Sequence, residues 1–140
     1  MKKLLCIISI SVSLLAACST TKTQPAECEQ MICTQEFRMV QVKFKDAAGN
    51  PVTVKDYSAI NKRTGESTVQ NNDPATVNNQ GIYVVASDAD VKKLSESGDI
   101  ITVTATNPTT NKKVTTEFVV SGGLCACHIN KVSGPAEISF

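Results

Sequence analysis

Tryptophan is absent from this chain, histidine occurs once, and the aromatic set is two tyrosines and four phenylalanines in 140 residues. A core without large rings must be built from Val, Ile, Ala and Leu, so each residue buries less apolar area. The lone histidine, His128, excludes catalysis by paired imidazoles. The chain also contains no His-Glu-x-x-His, no Gly-x-Ser-x-Gly, no phosphate-cradling glycine loop and no Cys-x-x-Cys. These absences predict a chain that is not an enzyme and holds no cofactor. No apolar run reaches the roughly 20 residues that span a bilayer. Nor is there an excess of one charge: 14 Lys and Arg face 13 Asp and Glu. Such near-neutrality argues against nucleic acid or another polyanion as a partner.

The first feature that is present is an address. Met1-Lys2-Lys3 is followed by an apolar run from Leu4 to Leu15 and then by Ala16-Ala17-Cys18. A basic start, a short greasy stretch and small residues before a cut describe a secretory leader. Leu15-Ala16-Ala17-Cys18 resembles the lipobox of bacterial lipoproteins, in which the cysteine thiol receives a diacylglycerol and becomes the amino-terminal residue. The resemblance implies that Cys18 is lipidated and that the membrane is a partner through that lipid. The three acyl chains typical of the family anchor stably where one binds only marginally. Ser19 stands where an aspartate retains such proteins at the inner membrane, which implies the outer membrane. The periplasmic face and the outer surface both stay open, because residues 19–26 lack the early acidic cluster that resembles known export signals.

The organisation that follows is a signal peptide over 1–17, a lipidated cysteine with a flexible stalk over 18–27, and one domain over 28–140. A chain of this length carries one modest core and not two. Loss of Lys2 and Lys3 with the leader leaves 12 basic and 13 acidic residues, a mature net charge of −1. The stalk includes Thr20-Thr21-Lys22-Thr23-Gln24-Pro25 and has no apolar periodicity.

From Phe37 onward, short stretches rich in Val, Ile and Thr are broken by Gly, Pro and Asn, which predicts an all-β domain. Ile101, Val103 and Ala105 alternate with Thr102, Thr104 and Thr106; Val114, Thr116, Phe118 and Val120 alternate with Thr115 and Glu117. Alternation of this kind suits antiparallel strands with one buried face. Residues 107–111 are read as the hairpin between those two strands, and residues 46–51 as the hairpin of the first pair. In the first strand the apolar parity slips between Phe37, Met39 and Val40, Val42, Phe44, which calls for a bulge or a crossing between sheets. A similar slip separates Val54 from Tyr57. Residues 65–80 resist placement. One helix is expected over 88–97, with a capping-box-like start at Ser87-Asp88-Ala89-Asp90, a stop at Gly98, and Val91 and Leu94 on one side. Capping and the helix dipole account for Asp88 and Asp90 better than calcium ligation does, and the Asn-rich residues 71–79 are no better as a metal signal.

Four stretches resemble the transthyretin-like or carboxypeptidase regulatory-like sandwiches of bacterial envelope proteins. They are Val42-Lys43-Phe44-Lys45-Asp46-Ala47-Ala48-Gly49-Asn50-Pro51-Val52, Lys62-Arg63-Thr64-Gly65, Gly81-Ile82-Tyr83 and Gly98-Asp99-Ile100-Ile101-Thr102-Val103. The resemblance implies an Ig-like or transthyretin-like antiparallel β-sandwich of about seven strands with one short helix. It also implies an accessory or binding module, with another envelope protein as a candidate partner and no catalytic residue to carry over. The carboxyl end, Cys125-Ala126-Cys127-His128 followed by Lys131-Val132-Ser133-Gly134-Pro135, resembles the closing motif of small bacterial lipoproteins that pair it with an early Cys-Thr. Cys33-Thr34 matches that earlier position.

Cys6 leaves with the leader and Cys18 with the lipid, so Cys28, Cys33, Cys125 and Cys127 remain. An even count in an oxidising compartment reads as two disulfides. On an extended strand Cys125 and Cys127 share a face, and a bond between them would strain a small ring. The pairing preferred here is Cys33 with Cys127 and Cys28 with Cys125; the swapped pairing is second. The alternative of a different class is a periplasmic zinc- or copper-handling protein using Cys28, Cys33, Cys125, Cys127 and His128. Strand geometry opposes it, since His128 would point away from the two preceding cysteines. A sugar platform would need an exposed ring, for which Tyr57, at a parity slip, is the candidate; a half-buried strand tyrosine is the plainer reading.

Overall fold

Among the described residues, seven strands and one short helix follow in chain order: β1 (Met39–Lys45), β2 (Lys55–Asn61), β3 (Ile82–Ser87), a 3-10 helix (Asp88–Lys93), β4 (Asp99–Thr106), β5 (Lys113–Ser121), β6 (Asn130–Ser133) and β7 (Glu137–Ser139). The computed structural model describes residues 28, 32–69 and 80–140; the leader, Cys18, the stalk and the Asn-rich residues 71–79 lie outside the described residues. The strands form two sheets, ordered β3-β1-β7 and β2-β4-β5-β6. Their apolar faces enclose one core in which Val42, Phe44, Val85, Ile101, Val103, Phe118 and Val120 are fully buried. The all-β, sandwich-like class read from the sequence is the class observed.

The alternating segments behave as their pattern dictates. β4 and β5 pair over eight residues, from Asp99 opposite Val120 to Thr106 opposite Lys113. Asn107 closes the hairpin, its side-chain oxygen accepting the Thr109 and Thr110 N–H groups at 2.9 and 3.2 Å. The register of β1 against β3 shifts between Val40 and Gln41, where Val85 of β3 is skipped, so the bulge lies on β3 and puts the neighbours Val85 and Ala86 both in the core. β1 itself alternates without interruption, with Val40, Val42 and Phe44 facing inward and Met39 49% exposed, and Phe37 before it is 62% exposed. Phe37 is therefore not a core residue, contrary to its strand-like setting.

A second irregularity lies in β2, where Asp56 adopts φ 53° and the register against β4 shifts between Lys55 and Ser58. The kink swings Tyr57 inward, into edge contact with Phe44 at 6.1 Å and a tilted contact with Tyr83 at 4.8 Å. Its hydroxyl donates to the Val84 carbonyl at 2.7 Å, and burial, then the neighbouring Tyr83, raises its pKa above the ordinary phenol range. Tyr57 is a core-facing tyrosine and not a sugar platform.

Two expectations about connectivity need correction, and one stretch without an expectation finds its place. Residues 46–51 do turn, with the Asp46 carboxylate accepting the Ala48 and Asn50 N–H groups at 2.9 and 2.8 Å. They do not make a hairpin of β1 and β2, because β2 joins the other sheet beside β4. Next, the sheets are not wholly antiparallel: β7 runs parallel to β1, with Phe44 opposite Ile138. β6 and β7 are joined only by residues 134–136, which step between sheets without reversing the chain. Gly134 permits that step, since a Cβ there would sit 2.3 Å from the Phe118 ring. Finally, residues 66–68, unplaced from sequence, fold back on the outer edge of β2: the Asn61 N–H reaches the Glu66 carbonyl at 2.9 Å and the Thr68 N–H reaches Ala59 at 3.0 Å.

The expected helix over 88–97 is a six-residue 3-10 turn. Ser87 makes no side-chain cap bond; the Asp90 carboxylate instead accepts the Ser87 N–H, while burial raises its pKa. The helix stops early because its next carbonyls are taken from outside. Gly123 N–H bonds Val91 O at 2.7 Å, Gly122 N–H bonds Ser95 O at 3.1 Å, and the Arg63 guanidinium bonds Lys93 O at 2.7 Å. Gly122 is needed for this approach, because a Cβ there would lie 2.3 Å from the Val91 carbonyl oxygen.

Candidate functional site

The chemistry-bearing residues gather at one end of the sandwich, where β1, β4 and β6 begin and β3 and β5 end. Cys28 is bonded to Cys125 and Cys33 to Cys127, each with Cα atoms 5.4 Å apart. Between them the segment before β1 is laid along the loop between β5 and β6. That loop, residues 122–129, is turn and not strand, so the strand argument that aimed His128 away from the cysteines does not hold. A different fact removes the metal-handling set. All four sulfurs are joined in pairs and none is the thiolate that metal ligation requires. Among the described residues, no three His, Cys, Asp or Glu are grouped to hold a metal ion.

His128 sits in a relay. Its Nε2 lies 2.9 Å from the Thr34 hydroxyl and its Nδ1 2.7 Å from Asp88 Oδ2, with the ring 11% exposed. The Asp88 carboxylate also accepts the Arg38 N–H at 2.8 Å and the Ile129 N–H at 2.8 Å. Burial opposes its charge, but the bonds from Arg38, His128 and Ile129 outweigh burial and hold its pKa below the usual carboxylate value. An ionised carboxylate only accepts, so in the neutral ring Nδ1 carries the proton and Nε2 accepts from Thr34. Glu36 lies 3.7 Å from Nε2 and is paired with Arg38, whose hydrogen bond lowers the Glu36 pKa.

One carboxylate thus fastens the segment before β1, the 3-10 helix and the disulfide loop to one another. The sequence reading placed Asp88 as a helix cap; its side chain serves tertiary contacts instead, and Thr34, Glu36 and Arg38 were not foreseen as its neighbours. A signal existed for Thr34. With Cys28 bonded to Cys125 and Cys33 to Cys127, the two segments run in the same direction, which brings the next residue of each, Thr34 and His128, together.

A second polar cluster supports this end. Asp99, 3% exposed, receives the Arg63 guanidinium at 2.7 Å on each oxygen, the Asn61 amide at 2.8 Å and the Ser95 N–H at 3.2 Å. The Arg63 bond, against the effect of burial and with help from Asn61 and Ser95, pulls its pKa to about 2 from an ordinary 3.8. A carboxyl lowered in the folded state stabilises the fold above its unfolded pKa, and that contribution disappears as pH falls through the folded value. Acidification from about pH 4 to about pH 2 is therefore expected to remove about 2 kcal/mol. Denaturant titrations across that interval check it, and Asp99→Asn should flatten the slope.

Compared with known proteins, the chain matches no family model, no curated protein and no solved structure. What the fold and the site define is a class: an all-β, two-sheet domain stapled by two disulfides at one end.

Proposed function

We propose that this chain is a lipid-anchored, non-catalytic module of the cell envelope, held at the outer membrane, whose stapled sandwich is a structural or protein-binding part. The observation that carries the reading is the pair of disulfides, which form and persist in oxidising compartments. They lock to the domain the segment that follows the lipobox-like Leu15-Ala16-Ala17-Cys18. The two-sheet architecture also suits the transthyretin-like resemblance. Intact mass and membrane fractionation of the chain, expressed in a bacterium that matures lipoproteins, test it. The wild type is expected to carry lipid and sediment with membranes, and Cys18→Ser to lose both properties. An unmodified, reduced, cytosolic chain would falsify the reading. Cross-linking in intact envelopes then identifies the protein it touches.

One observation favours a second reading. Hydroxyl, imidazole and carboxylate stand in the order of a nucleophilic triad, with Thr34 the exposed member. A fluorophosphonate probe separates the two. The module reading expects no adduct, whereas an adduct on Thr34 that His128→Ala abolishes establishes an activated nucleophile.

A further inference from the structure

Among the described residues, six large apolar side chains are exposed: Ile32, Phe37, Met39, Ile100, Leu124 and Val132. All six lie in the half of the sandwich that carries the disulfides. Ile32 and Leu124 directly precede Cys33 and Cys125. Met39 opens β1 opposite Ser87, with Phe37 two residues before it. Ile100 is the second residue of β4, and Val132 lies on β6 close to Val119, the cross-strand neighbour of Ile100. The far end is polar: its turns are held by Asp46, Asn107 and Asn111, the last accepting a bond from Lys55 at 2.8 Å. Single exposed apolar residues are ordinary on a protein surface, but their segregation to one end is not.

A separate observation concerns where the rest of the chain joins. Cys28 is bonded to Cys125, so the ten residues 18–27 attach at this same apolar end. A chain of that length reaches at most about 35 Å when fully extended. A lipid on Cys18 would keep this end, and not the polar one, beside the bilayer, and contacts too weak to bind alone gain from the tether's effective concentration. Ile32 is 99% exposed, and an apolar side chain so open suits a lipid contact.

We propose that the disulfide end of the sandwich rests on the bilayer, with Ile32, Phe37 and Leu124 entering the boundary between headgroups and acyl chains. This rests on the lipidation of Cys18 argued above. The chain has no native tryptophan, so single substitutions report their own surroundings. The lipidated full chain is prepared as Ile32→Trp, Leu124→Trp and, at the far hairpin, Thr109→Trp. Each is placed in vesicles of phosphatidylethanolamine and phosphatidylglycerol with and without brominated acyl chains. Tryptophan at 32 and 124 is expected to emit further to the blue and to be quenched by the brominated lipid, and tryptophan at 109 to do neither. Three unquenched variants that float with the vesicles and carry the lipid mass overturn the proposal while leaving the tether intact. Equal quenching at 109 overturns it too, since the domain then lies without preferred end. A blue shift at 32 that follows protein concentration instead of lipid means that a second copy covers this end. A chain with no lipid on Cys18 defeats the anchoring reading itself, and the bilayer contact with it.

Discussion

Reducing both disulfides is expected to lower the melting temperature by roughly 20 °C or more, on the usual scaling of about 4–8 °C per kcal/mol for a domain of this size. Cys28–Cys125 and Cys33–Cys127 join residues 97 and 94 positions apart. In the chain-entropy account a loop near 100 residues is worth about 4.7 kcal/mol. With the first bridge in place, the second closes only the short circuit through 28–33 and 125–127, and the same relation gives it about 2.5 kcal/mol. Whole domains are stable by only about 5–15 kcal/mol, so the staples supply a large share. The core cannot compensate: its fully buried side chains include two phenylalanines, and the rest are isoleucine, valine and alanine. Differential scanning calorimetry with and without a phosphine reductant, thiols counted in parallel, makes the measurement. A reduced chain melting within a few degrees of the oxidised one would sink the argument.

Asp88→Ala is expected to cost about 3 kcal/mol with both disulfides intact, because hydrogen bonds to a charged group are each worth about 1.5–3 kcal/mol and buried donors left unpaired add their desolvation. The carboxylate serves the Arg38 N–H, the Ile129 N–H and His128 Nδ1 from two different segments. Asp88→Asn should rescue little, since its amide nitrogen would face a donor where the carboxylate offered an acceptor. Urea titration gives the stability change. Hydrogen exchange gives the location: the amides of Arg38 and Ile129 should open early in the variant while those of β4 and β5 keep their protection. Unchanged exchange at both amides would mean that the disulfides alone position this end.

The legible parts of the fold were those governed by local period. Ile101, Val103 and Ala105, like Phe118 and Val120, declare their buried face because a strand repeats every two residues, and Asn107 declares the hairpin because its side chain bonds its own turn. The parity slip at Tyr57 was visible as an irregularity and is a bulge of β2, whereas at Val40 the extra residue is Val85 of β3 and β1 alternates regularly. The helix over 88–97 was misjudged for a reason no local pattern contains: Gly122, Gly123 and Arg63 take the carbonyls that a longer helix would keep. Asp88 was misplaced likewise, since an acid at a helix start looks the same whether it caps its own turn or binds a loop 40 residues away. Phe37 looked like core because apolar character does not say which face of an extended segment is covered.

By itself the sequence determined the class of fold and the material of the core, since alternation, turn residues and scarce aromatics act over a few neighbouring positions. It also determined that four cysteines were available for pairing. Only the tertiary structure decided that β2 leaves β1 for the other sheet, that β7 lies parallel to β1, and that Thr34, His128 and Asp88 meet. Those outcomes depend on contacts between segments up to 94 residues apart, and such contacts are chosen by how the two sheets close over one core, which no short stretch of residues encodes.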